Sequence, residues 1–249
     1  MDRYMLRDEH WSKLLPIMSE NVIYDKPNLR LTIEGILYKM RVGCPWRDLP
    51  SEYGPWNTIY KKFNDWSSKS KIMSIFKALI NEPDLEWKMI DGTVIHAHQH
   101  AAGSRKGKER AIGKSAGGRT SKIHMVTDSH GNPIEFEITE GQVHDVVMAA
   151  DLIKNTPISK YTLGDKGYDS DHFRDVIKQC KSIPAIPKRK NSKKKLNDFD
   201  RHIYKQRFKV ENLFGKLKQN RSIATRFEKL KINFIGMVSL ACAYIWLRL

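Results

Sequence analysis

The chain has 249 residues, 40% of them apolar, which is enough for a sizeable core and excludes long-range disorder as the default. Lys and Arg number 44 against 28 Asp and Glu, and the formal net charge of +16 points to a polyanionic partner, nucleic acid or an anionic membrane. Cys44, Cys180 and Cys242 stand apart, so they form no zinc-ligand spacing and fit a reducing cytosol better than a disulfide framework.

The first residues lack the apolar core of a signal peptide. Leu31, Ile33, Ile36, Leu37 and Met40 recur at helical spacing. The breakers Gly43-Cys44-Pro45, Asp48-Leu49-Pro50 and Gly54-Pro55 follow. Trp56, Ile59, Tyr60, Phe63 and Trp66 then predict a second helix, with Pro55 in its first turn. A third helix is expected over 70–80, and Asn81 to Asp84 reads as the exit from an all-helical module, residues 1–82. The 31–41 and 55–66 helices suit a helix-turn-helix that carries Lys61 and Lys62 towards DNA, or else a dimerisation or packing module.

From residue 83 the period changes. Trp87 to Asp91 reads as a strand ending at an acid; Ile123–Thr127 and Ile134–Thr139 read as a hairpin around the Asp128–Pro133 turn. Helices are expected over 145–154 and 170–181, and strands at Tyr161–Leu163 and Ser182–Pro187. His144-Asp145 reads as the start of the first of these helices, with Asp145 near the cap, and Asp169 and Asp171 read as cap residues of the second. The order is that of a mixed α/β sheet with flanking helices, residues 83–249. Phe234 to Leu249 is apolar apart from Arg248, but shorter than the roughly 20 residues a bilayer span needs. It reads as a buried closing helix, with no membrane role.

Two-metal phosphodiester chemistry needs carboxylates on rigid elements, and magnesium takes oxygen ligands while keeping several waters. Asp91 and Asp165 stand at expected strand ends beside Gly92 and Gly164; each is equally well a turn or cap residue. Glu211 lies in the stretch Tyr204 to Lys218. At about 100° per residue, Tyr204, Arg207, Glu211 and Lys218 share a sector about 60° wide beside an apolar stripe of Val210, Leu213, Phe214 and Leu217. An ordinary ion pair between Arg207 and Glu211 on a solvated helix accounts for the same row.

That row, Y-x2-R-x3-E-x6-K, resembles the signature of DDE transposases of bacterial insertion sequences. Ile90-Asp91-Gly92-Thr93, His98 to Gly103, Lys122-Ile123-His124, Gly141 to Asp145 and Asp165 to Asp169 resemble the insertion sequence five group. So do Gly43 to Pro50 and Gly54-Pro55-Trp56, and the likeness covers nearly the whole chain. It implies a ribonuclease H-like catalytic domain behind a small helical, helix-turn-helix-like module. Asp91, Asp165 and Glu211 take the three acid places, which implies catalysis and binding of magnesium, with manganese as a substitute. The interval from Asp165 to Glu211 is too short for the large β insertion of some relatives. Tyr204, Arg207 and Lys218 take places that contact DNA. The partners implied are double-stranded DNA, as element ends and target, and further copies of the chain. The setting implied is the bacterial cytoplasm, on the nucleoid.

Two basic runs suit phosphate contact: Lys188, Arg189, Lys190, Lys193, Lys194 and Lys195, and a loop with Arg105, Lys106, Lys108, Arg110 and Lys114. Either run also fits a solvated loop. His96, His98 and His100 alternate and on a strand would share a face, which suits a transition-metal site or a polar wall near DNA. The expected reaction is hydrolysis at the element's end, followed by attack of the freed 3′ hydroxyl on target DNA. Rival readings are a nuclease that does not join, a DNA-binding protein with decayed catalysis, and a zinc hydrolase using the histidine row.

Overall fold

The computed structural model describes residues 5–102, 109–189 and 201–249. Helices α1 (Asp8–Glu20), α2 (Leu29–Val42), α3 (Trp56–Ser68) and α4 (Lys71–Leu79) come first. Strands β1 (Trp87–Ala97), β2 (Gly113–Ser115), β3 (Gly118–Thr127) and β4 (Pro133–Glu140) follow. Then come α5 (Asp145–Lys154), β5 (Tyr161–Leu163), α6 (Asp171–Gln179) and β6 (Ile183–Ala185). The chain closes with α7 (Arg201–Lys205), α8 (Phe208–Lys218), α9 (Arg221–Ala224), β7 (Thr225–Arg226) and α10 (Lys231–Leu247).

These elements form two compact units. One comprises Met1–Asn81, His96–Arg110 and Leu217–Leu249. Residues 96–110 and 217–249, which the sequence alone assigns to the second domain, group here with the N-terminal helices. The reason is apolar: α10 buries Phe234, Met237, Val238, Ala241 and Cys242 and packs on α3 and α4. Among the described residues no helix is long and apolar enough to cross a membrane. Gly43 closes α2 at φ 74°, and a β-carbon there would stand 2.8 Å from the Arg221 Cβ. Only glycine suits both demands. Lys39, buried in α2, donates to Glu228 Oε1 at 2.7 Å and to Ser222 Oγ at 3.0 Å. The α2–α3 connection, residues 43–55, carries 3-10 turns at Trp46–Asp48 and Ser51–Tyr53. That is longer than the three- or four-residue turn of a helix-turn-helix.

The other unit, Glu82–Ile95 with Ala111–Lys216, carries the sheet. Its order is β2-β3-β1-β5-β6, with β4 paired to β3. The β1–β5 and β5–β6 pairs are parallel; β3 pairs antiparallel with β2 and β4. The expected hairpin forms around Asp128, whose Oδ1 accepts from the His130 and Asn132 amides at 3.0 and 2.7 Å. Ile90 and Val126 meet Ala149, Leu152 and Ile153 of α5, Phe173 and Ile177 of α6, and Tyr168 in one buried cluster. α8 buries Val210, Leu213 and Phe214.

Three expectations need correction. Asp91 does not end its strand: the β-branched Thr93-Val94-Ile95 continue β1 to Ala97. Tyr204 to Lys218 is not one helix, because α7 stops at Lys205 and α8 starts at Phe208. Across the break, bonds such as Arg207 N to Tyr204 O and Val210 N to Arg207 O link residues three apart, so the shared-sector argument fails there. Lastly, α6 is capped by Ser170 and not by Asp169, which is engaged in ion pairs.

Candidate active site

The β1–β5 register pairs Met89 with Leu163. Two residues further along each chain stand Asp91 and Asp165, so parallel pairing brings these two acids to the same level. Strand alternation separates Asp91 from Ile90, whose side chain belongs to the α5–α6 cluster. Asp91 Oδ1 accepts from the Gly92 amide at 2.9 Å and Oδ2 from Arg207 Nη2 at 3.0 Å. Burial pushes the Asp91 carboxyl above the usual range; Arg207 and the Gly92 amide oppose that shift, and the charge of Asp165 adds to it. Asp165, just past β5, caps the short turn Lys166–Tyr168 by accepting from the Gly167 amide at 2.7 Å.

Glu211 lies in the first turn of α8, 61% exposed. Its Oε1 accepts from the same Arg207 Nη2, at 3.1 Å. Thus one nitrogen joins two of the three acids. Arg207, in the turn between α7 and α8, is 17% exposed, and Nη1 donates to the Tyr204 hydroxyl at 3.4 Å. Burial works against its charge, but Asp91 and Tyr204 more than offset this and raise its pKa above the ordinary arginine value. It is therefore a permanent cation.

Tyr168, 1% exposed, has a buried hydroxyl with no hydrogen-bond partner among the described residues. Burial raises its pKa well above 10, and the charges of Asp145, Asp91 and Asp165 add to the rise, so it stays protonated. Asp145, the first residue of α5, lies against Gly92, where a β-carbon would have to push its carboxylate aside. Its Oδ1 is 3.2 Å from Lys122 Nζ and 3.5 Å from His124 Nδ1. Sequence reasoning placed Asp145 near a helix start but missed its approach to Gly92. The signal available was the glycine directly after Asp91.

Arg189 is tied to the segment after Asp165: its amide donates to Asp169 Oδ2 at 2.8 Å, and its guanidinium donates to the carbonyls of Lys166 and Gly167 at 3.3 and 3.2 Å. Lys188 pairs with Asp169 and Asp171 at 3.1 and 3.3 Å. Lys190, Lys193, Lys194, Lys195, Arg105 and Lys106 lie outside the described residues. Lys218, exposed at the end of α8, falls in the other compact unit. Lys61 is exposed there, whereas Lys62 turns back to donate to Thr32 Oγ1 at 3.1 Å. The histidine row does not share one strand face: His96 is in β1, His98 follows it, and His100 sits in the turn Gln99–Ala102. His98 stacks on Phe227 with ring centroids 4.5 Å apart.

Among the described residues, no three His, Cys, Asp or Glu side chains converge as a ready ligand set. Asp91 and Asp165 nevertheless offer hard oxygen donors at one level of the sheet. These donors fit a magnesium- or manganese-type cation whose shell is completed by water and phosphate.

Residues 87–246 match the family described as "Transposase DDE domain", and residues 6–76 match "Putative transposase of IS4/5 family". The chain is 36% identical over 129 residues to the "Putative transposase for insertion sequence element IS6501" of Brucella ovis, covering 52% of this chain and 99% of that protein. It is 35% identical over 111 residues to protein y4sN of Sinorhizobium fredii, covering 43% of this chain and 89% of that one. Among solved structures it resembles piggyBac transposase, seen in a synaptic complex with hairpin DNA, with a TM-score of 0.51 and 10% identity. That match covers 96% of this chain and 72% of the other. The fold is thus a ribonuclease H-like mixed sheet flanked by helices, behind an N-terminal helical region. The chain belongs to the DDE transposases of insertion sequences.

Proposed function

We propose that this chain binds the terminal inverted repeats of its element and catalyses magnesium-dependent cleavage and strand transfer on double-stranded DNA. Asp91, Asp165 and Glu211 are the acids. The observation that carries the reading is the parallel β1–β5 register, which sets Asp91 level with Asp165, together with the Arg207 bridge from Asp91 to Glu211.

Asp91, Asp165 and Glu211 would hold magnesium, or manganese as a substitute, which would supply positive charge at the scissile phosphate and favour a deprotonated nucleophile. In the first step a water oxygen attacks phosphorus, the P–O3′ bond breaks, and the departing 3′ oxygen takes a proton. In the second step that 3′ hydroxyl loses its proton as it attacks a target phosphate, and the displaced 3′ oxygen of the target takes one up. The chain's residues position these events. Asp91 is fixed by the Gly92 amide, and Asp165 by the Gly167 amide. The protonated Tyr168 hydroxyl is a spare donor near the acids. Lys188 and Arg189 begin a phosphate track at the turn after Asp165. Tyr204 and Lys218 are further DNA contacts, and the helical module reads the end sequence. Synapsis of two ends calls for more than one copy of the chain.

The test uses the purified chain and a labelled duplex containing an element end and its flank. Asp91→Asn should bind the duplex but lose nicking in Mg2+, and wild type should join a pre-cut end to a second duplex. Magnesium-dependent nicking by Asp91→Asn removes the assignment of the acids; nicking without joining by wild type reduces the activity to that of a nuclease.

A further inference from the structure

The Asp91–Glu211 interval is already filled by a cation of the protein's own. Arg207 Nη2 stands 3.0 Å from Asp91 Oδ2 and 3.1 Å from Glu211 Oε1. A magnesium ion binds oxygens at about 2.0–2.1 Å, so an ion shared by these two carboxylates needs the space that Nη2 holds. The guanidinium cannot be neutralised to vacate it. The guanidinium is held by the side chains of Asp91, Glu211 and Tyr204, so rotation of the Arg207 side chain releases it without moving the backbone. It also has a reason to move only when another anion is present. Once withdrawn from Asp91, the charge needs a partner as good, and a DNA phosphate takes a guanidinium's paired donors.

We infer that Arg207 is a resident counter-cation that excludes divalent metal from the Asp91–Glu211 interval until a DNA phosphate draws it away. Metal loading is therefore coupled to DNA binding, and by linkage metal strengthens DNA binding by the same factor. Free enzyme keeps Asp91 and Glu211 paired to Arg207 and unarmed. This inference rests on the assignment of Asp91 and Glu211 as metal ligands, and the test separates the two.

Mn2+ binding to the full chain is titrated by electron paramagnetic resonance, with and without a short duplex carrying the element's terminal repeat. Wild type should bind Mn2+ weakly alone and roughly tenfold or more tightly with the duplex, within the usual range of coupling between sites. Arg207→Gln should bind Mn2+ tightly without DNA and lose most of that coupling. Arg207→Lys, which keeps a charge, should retain part of it and controls for folding; a larger Mn2+-induced rise in melting temperature for Arg207→Gln than for wild type is a second readout. Mn2+ should also steepen the salt dependence of wild-type DNA binding by one phosphate, about 0.9 in the log–log slope, and leave Arg207→Gln unchanged. Unaltered DNA-free Mn2+ affinity in a folded Arg207→Gln overturns the inference. Unaltered duplex-dependent Mn2+ binding in Asp91→Asn overturns instead the assignment of the acids on which it rests.

Discussion

Gly92 and Asp145 touch so closely that a β-carbon at position 92 would displace the Asp145 carboxylate. This packing ties the start of α5 to the residue after Asp91. Gly92→Ala should push Asp145 aside or bend β1, at about 1–3 kcal/mol of stability, the usual range for overpacking. Pairing it with Asp145→Ala should recover part of the loss in denaturant melts, a non-additivity expected of touching residues. Strict additivity would dismiss the coupling.

Lys39 and Glu228 form an ion pair at 2.7 Å with side chains 2% and 4% exposed. Lys39→Met leaves the carboxylate buried and unpaired, and should cost about 3–5 kcal/mol. Replacing both partners by apolar residues should cost clearly less. Equal losses for the single and double variants would show that the pairing is not what the single substitution removes.

His124 is buried, with Nε2 2.8 Å from Thr139 Oγ1, and burial pushes its pKa down to about 4 from 6.5. Between those values the unfolded chain binds more protons than the folded one, so stability rises with pH across that window and is lost as pH falls through it. The loss should approach about 3 kcal/mol. Urea melts of His124→Gln should show a flatter profile over that range, and an unchanged profile would assign the dependence to other groups.

Lys188 and Arg189 lead from the Asp165 turn into the basic run. Neutralising both to Gln should lower the salt slope of DNA binding by about 0.9 for each phosphate that is no longer neutralised. A slope equal to that of wild type would leave these residues to structural pairing with Asp169 and Asp171.

Much of the architecture was legible because it is periodic. The helical spacings in the first 80 residues, the hairpin around Asp128 and the helix from Asp145 follow from local pattern and turn chemistry. The strand expected to end at Asp91 runs on to Ala97, and the missing side chain of Gly92 within it serves the approach of Asp145. The break at Gln206–Arg207 left no mark either, since both residues are good helix formers.

The amino-acid sequence by itself determined the class of protein: a basic chain with a helical module, a mixed sheet and three acids in the order of the DDE transposases. Tertiary structure alone decided which charges meet. Strand register sets Asp91 level with Asp165, and the turn before α8 carries Arg207 to both Asp91 and Glu211. Pairing across 116 positions of chain is set by packing and not by local preference, so no spacing along the sequence could announce it.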